Sequence, residues 1–144
     1  TNSNPKILNN DVETLQNWCS NDIDFDLLFC PININKKHWS LITFDCVSQT
    51  VNNYDSLYSP SLKLVESTSK VLGRVFTKLK SVSSWKVNVA KDFPMQNKNS
   101  NDCGVFICCF AKSLAFNKAF DFSQSTMLSI RKNMQDDILN FCLD

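Results

Sequence analysis

Glycine is nearly absent from this chain. Of 144 residues only two are glycine, Gly73 and Gly104, and only one is histidine, His38. The seven cysteines include no C-x-x-C pair. With a single histidine beside them, they lack the four suitably spaced ligands of a structural zinc site. No apolar run approaches the 18 or so residues of a membrane span, and no secretory signal opens the chain. The formal net charge of +1 gives no electrostatic reason to expect nucleic acid or an anionic membrane as a partner. Internal repeats, low-complexity tracts and an interdomain linker are also missing. The chain starts at Thr1 rather than Met, in the polar, turn-rich "TNSNPKILNN", which reads as a fragment or a processed chain.

What is present describes one globular domain. A chain of this length buries about 68–70% of the surface its unfolded form exposes, so a core forms without disulfide or metal. Hydrophobic residues at 43% and charged residues at 20% fit a soluble, globular composition. Cys19, Cys30, Cys46, Cys103, Cys108, Cys109 and Cys142 are odd in number, and four sit in strongly apolar runs. That reads as reduced, buried cysteine in a cytosolic or nuclear protein.

Periodicity gives the elements. Val12, Leu15, Trp18 and Cys19 in "DVETLQNWCS" have helical spacing, with Asp11 as a cap. "IDFDLLFCPI" reads as a buried strand ending at Pro31. A polar loop, "ININKK", leads to a strand over Trp39–Asp45, a turn at "CVSQ" and a strand ending at Asp55. So short a connection makes an antiparallel hairpin. A helix is expected from Ser59 to about Ser81, with Pro60 in its first turn and Lys70, Arg74 and Lys78 on a solvated face. "SWKVNVA" alternates as a fourth strand. "KDFPMQNKNSND" is a twelve-residue loop, a length often tied to function. "CGVFICCFAKSLAF" is apolar enough to lie in the core, which would bury Cys108 and Cys109. The last helix carries Met127, Ile130, Met134, Ile138 and Phe141 on one side. Hairpin-linked strands with helices grouped around them argue an α+β fold.

Cys103 stands apart from the other cysteines. It follows the polar "SND" and begins the apolar helix, where unpaired N–H groups and the helix dipole favour a thiolate. Gly104 removes a side chain next to the sulfur, where a substrate backbone would approach. A nucleophilic cysteine needs a base, and His38 is the only histidine. Asp55 lies 17 residues after His38. If the outbound strand starts at His38 and the return strand ends at Asp55, both stand at the same end of the hairpin, suiting Asp55 to orient the imidazole. Asp45 lies at the turn, the far end. Donors for an oxyanion are the Cys103 backbone N–H and the Gln96 side-chain amide, for which an ordinary exposed loop glutamine is the competing reading.

Taken together, "HWSLITFD", "YDSL" and "Q" shortly before "DCGVFIC" resemble the ubiquitin-like-protein proteases, specifically the SUMO (sentrin)-specific cysteine proteases. The resemblance covers roughly residues 12 to 143. It implies a papain-like, adenain-like α+β fold, with a small mixed sheet packed on a central helix that starts at the nucleophile, and flanking helices. It implies one catalytic domain over residues 1–144 that lacks the family's N-terminal helices and their Trp-Leu-Asn-Asp-like motif. By position it makes His38 general base and acid, Asp55 its orienting group, Cys103 the nucleophile and Gln96 an oxyanion donor. Trp39 becomes an aromatic clamp for the narrow diglycine tail of the modifier. Gln96 stands seven residues before Cys103, where many family members have six, so Asn97 stays open as the donor. The implied partners are SUMO or another ubiquitin-like modifier and its lysine conjugates, acted on by a monomer without cofactor, metal, nucleic acid or membrane. Two alternatives follow from the same resemblance. One is a catalytically impaired binder of ubiquitin-like proteins. The other is a deneddylase or deubiquitinase on the same scaffold.

Overall fold

A computed structural model describes residues 9–18, 23–88 and 92–141. Cys19 and Cys142 lie outside the described residues, as do the side chains of Asp11, Val12 and Trp18 on which the first helix was read. The elements are helix α1 (Asn9–Trp18), strands β1 (Leu27–Ile34), β2 (His38–Asp45) and β3 (Thr50–Tyr54), helix α2 (Leu62–Val75), strand β4 (Lys86–Asn88), and helices α3 (Cys103–Ala115) and α4 (Met127–Phe141). The strands form one sheet in the order β1-β2-β3-β4. Short turns make β1, β2 and β3 successive antiparallel neighbours. β4 returns parallel to β3, pairing Thr50 with Lys86 and Asn52 with Asn88, after a crossover long enough to contain α2. The sheet is therefore mixed, as expected.

The chain divides into two compact units. One comprises Thr1–Leu28, Thr43–Asn53 and Ser61–Val89; the other comprises Phe29–Ile42, Tyr54–Pro60 and Ala90–Asp144.

In the first unit α1 packs on α2. The helix α2 begins three residues later than its sequence suggests. Ser61, not Pro60, sets the start, because its hydroxyl accepts the Leu64 N–H at 3.2 Å and satisfies a first-turn donor. The helix also ends early, at Val75, and the chain continues through 3-10 turns at Thr77–Leu79 and Val82–Ser84. Gly73 permits this return. A Cβ there would lie 3.0 Å from the carbonyl oxygen of Leu79. Lys78 thus leaves the basic helix face on which it was expected, and instead donates to the Phe25 carbonyl at 2.8 Å and pairs with Asp24. Phe25 and Phe76 meet edge to face at 5.4 Å.

In the second unit α3 is the core. Phe106 and Phe110 are fully buried and pack with Leu41 of β2 and Tyr54 of β3. Phe93, Phe120 and Phe122 surround Phe110 at centroid distances of 5.1–5.5 Å, all three edge to face. Two expectations fail here. The face of α4 is buried only over its first half: Met127 is buried and Ile130 and Met134 pack on the core, but Ile138 and Phe141 are exposed. Cys108, read as core, is exposed, while Cys109 next to it is buried. Cys108 falls on the one face of α3 turned from the core, a 100° step from Cys109.

The first strand was read as buried and ending at Pro31. It is a half-buried edge strand that runs through Pro31 to Ile34. Proline has no N–H to give a ladder, which an edge strand tolerates. The strand then turns tightly through Asn35 and Lys36, both with left-handed φ of 54° and 59°, in the manner of a type I′ hairpin. That turn leads directly into His38.

Candidate active site

His38 is the first residue of β2 and Asp55 follows the last residue of β3. Pairing of the two strands brings these ends together. His38 Nε2 lies 2.8 Å from Asp55 Oδ1, and both side chains are buried. A carboxylate only accepts, so Nε2 carries the proton and Nδ1 is left as the basic nitrogen. The same Oδ1 accepts the backbone N–H groups of Leu57 at 3.0 Å and Tyr58 at 2.8 Å, which fix the carboxylate. The Tyr58 ring stands edge to face against the imidazole at 5.1 Å. Asp45 is occupied elsewhere, accepting the Val47 and Ser48 N–H groups at 2.9 Å in the β2–β3 turn.

Cys103 is the first residue of α3 and 8% exposed. The residues His38, Trp39, Gln96, Cys103 and Gly104 line one cleft of about 620 Å³. All belong to the second unit. Trp39 is 37% exposed there. The alternation at the start of β2 sends its neighbours His38 and Ser40 inward and Trp39 outward. A Cβ on Gly104 would meet only the Trp39 ring within 4 Å, at 3.6 Å. Gly104 therefore leaves open space beside that indole.

The two oxyanion candidates separate clearly. Gln96 is buried: its Oε1 accepts Ser56 Oγ at 2.9 Å, its Nε2 donates to the Ser100 carbonyl at 3.1 Å, and its N–H donates to the Ser56 carbonyl at 2.8 Å. One Nε2 hydrogen stays uncommitted by these bonds. Asn97 is exposed, does not line the cleft, and gives its N–H to Gln124 Oε1 at 2.8 Å.

Burial pushes Cys30 up to about 11, and burial also raises Cys46 and Cys109. These remain protonated near neutral pH.

Sequence reading missed Ser56, Tyr58, Gln124 and Arg131. Ser56 sits in the quoted "YDSL" and Tyr58 directly after it, where only the aspartate carried a chemical expectation. Gln124 and Arg131 are 22 and 29 residues from Asp102, whose carboxylate they bond, and no spacing rule marks such a pair.

A model of the Ulp1 protease family, C-terminal catalytic domain, matches residues 6–144. The chain belongs to the Ulp1 protease family. This is a family of cysteine proteases. Sentrin-specific protease 5 of Mus musculus is 36% identical over 115 residues, covering 78% of this chain and 15% of that protein. Sentrin-specific protease 3 of Homo sapiens is 29% identical over 129 residues, covering 86% of this chain and 22% of that protein. The chain thus spans a minor part of these relatives' length. Among solved structures, the SUMO protease Ulp1 with its catalytic cysteine oxidised to a sulfonic acid superposes with a TM-score of 0.73. It is 21% identical, over 92% of this chain and 63% of that one. The C-terminal Ulp1 protease domain in complex with Smt3, the yeast ortholog of SUMO, gives 0.61 at 24% identity, over 74% and 49%. The α+β fold with a mixed sheet is that of these Ulp1 structures.

Proposed function

We propose that the chain is a single thiol-protease catalytic domain that cleaves after the C-terminal diglycine of SUMO or a related modifier. It would release the modifier from lysine and trim modifier precursors. The observation that carries this reading is the buried 2.8 Å bond from Asp55 to His38, which lines one cleft with Cys103 and Gln96. Family membership and the names of the relatives support the substrate class.

In this reading His38 Nδ1 takes the proton of the Cys103 thiol, while Asp55 holds the ring and stabilises the imidazolium. The thiolate attacks the carbonyl carbon of the modifier's terminal glycine, and the carbonyl electron pair moves to oxygen. The Cys103 N–H and the free Nε2 hydrogen of Gln96 receive that oxyanion. Its collapse breaks the C–N bond, and His38 returns its proton to the leaving lysine amine. His38 then takes a proton from water, which attacks the thioester and restores the thiol. The exposed Trp39 indole and the open space beside it at Gly104 suit the narrow diglycine tail of the modifier. No described helix is long and apolar enough to cross a membrane. The free cysteines among the described residues favour a reducing compartment, nucleus or cytoplasm.

The test is a panel of SUMO, NEDD8 and ubiquitin probes with a C-terminal vinyl sulfone. The expected result is a covalent adduct with the SUMO probe that Cys103→Ala abolishes. Tight modifier binding with no adduct would instead make the chain a binder without activity. An adduct with NEDD8 or ubiquitin alone would move the substrate class.

A further inference from the structure

We propose that Gln124 and Arg131 are positioning residues that hold the two oxyanion donors, the Gln96 amide and the Cys103 N–H, in register with each other. This rests on the thiol-protease reading above.

Gln124 is bound at three points of the loop before the nucleophile. Its Oε1 accepts the Asn97 N–H at 2.8 Å and Ser100 Oγ at 3.1 Å, and its Nε2 donates to Asp102 Oδ2 at 2.6 Å. The Ser100 carbonyl is the acceptor for Gln96 Nε2, and the Ser100 N–H closes a turn onto the Asn97 carbonyl at 2.9 Å. Moving Gln124 therefore moves Ser100, and with it the Gln96 amide. Gln124 does not line the cleft. It stands on a turn fixed at both ends, where Ser123 and Thr126 bond each other reciprocally.

The other end of the loop is held at Asp102. Aspartate at a helix start ordinarily spends its carboxylate on first-turn N–H groups. Asp102 makes no such bond. Its Oδ1 instead receives Arg131 Nε at 2.9 Å and Nη2 at 2.7 Å, and Nη2 also reaches the Asn101 carbonyl at 3.0 Å. The Asp102 carbonyl still accepts the Phe106 N–H at 2.9 Å, so the helix start stays anchored. Its side chain leaves the first-turn N–H groups next to the nucleophile unspent. The Gln124 and Arg131 bonds hold the Asp102 carboxyl below the usual carboxylate range. The clamp is thus ionised, and intact, at neutral pH. Arg131 is carried by α4, whose Met127, Ile130 and Met134 seat it on the α3 core.

Gln124→Met keeps the side-chain volume and removes all three bonds. It is compared with the unaltered chain in three measurements: turnover of a C-terminally extended modifier, inhibition by a modifier C-terminal aldehyde, and alkylation of Cys103 by chloroacetamide. The aldehyde forms a tetrahedral adduct whose oxygen needs the donors; alkylation does not. A misplacement of about 1 Å costs roughly 10²-fold in rate. The expected outcome is a kcat about 10²-fold lower with KM nearly constant, aldehyde affinity falling in parallel, and an unchanged alkylation rate. Arg131→Lys, which keeps the charge and loses the planar fork, should shift the same readouts in the same direction, and it serves if Gln124→Met fails to fold. Unchanged kcat in a folded variant overturns the clamp, as does alkylation that falls in step with turnover. If the unaltered chain neither turns over nor labels at Cys103, the protease reading itself fails, and the clamp with it.

Discussion

Asp55 Oδ1 takes three donors at once: His38 Nε2 at 2.8 Å and the backbone N–H groups of Leu57 and Tyr58. The backbone bonds hold the oxygen where the imidazole must meet it, so the ring's orientation is set before any substrate arrives. Asparagine keeps an acceptor oxygen at this place but not the charge that steadies an imidazolium. Asp55→Ala is therefore expected to lower kcat by about 10²–10⁴-fold, and Asp55→Asn by less. Turnover of a modifier fusion checks the order; equal losses would mean that charge alone matters.

Gln96 and Asn97 make a direct contrast. Gln96→Ala should reduce kcat by about 10²–10³-fold, the effect of losing one oxyanion donor, with little change in KM. Asn97→Ala, which leaves its exposed backbone N–H in place, should leave kcat within about threefold. Reversal of the two would assign the donor to Asn97.

Gly104→Ala separates fold from function. A methyl there meets only Trp39, at 3.6 Å, and alanine in place of a helical glycine stabilises by about 0.5–1 kcal/mol. The melting temperature should hold or rise. The same methyl narrows the cleft beside Trp39, so KM for the modifier should rise several-fold. A variant that melts lower would show that the Trp39 ring cannot give way to the methyl.

Asp102 links stability to acid. Its folded pKa is lowered, chiefly by Gln124 and then by Arg131. A lowered carboxyl contributes stability that is present above the unfolded value of about 3.9 and is lost as pH falls through the folded value. The melting temperature of Asp102→Asn should therefore lie below that of the unaltered chain from about pH 5 upward, and the gap should begin to shrink below about pH 4 and close only as pH falls through the lowered folded value. Melts across pH 2.5–7 measure it. A constant gap would mean that the carboxylate's charge plays no part.

Much of the candidate site is legible locally. The polar "SND" followed by "CGVFICCF" marks the start of α3 at Cys103, because a helix start needs polar partners and a core helix needs apolar faces. The turn at "CVSQ" makes β2 and β3 a hairpin, so His38 and Asp55 must share an end. Less legible were the limits of elements. The return after Gly73 shortens α2 because a neighbouring carbonyl lies close, and Pro31 stays in β1 because that strand is an edge.

The sequence by itself determined which residues stand at the ends of their elements: His38, Asp55 and Cys103. Local periodicity and turn length carry that information, since each depends on neighbours a few positions away. Only the tertiary structure decided the burial of Gln96 and the exposure of Asn97, the outward turn of Trp39 and Cys108, and the grip of Gln124 and Arg131 on Asp102. Those relations join residues 22 to 40 positions apart, or depend on which face meets the core. They exist only once separate elements have packed.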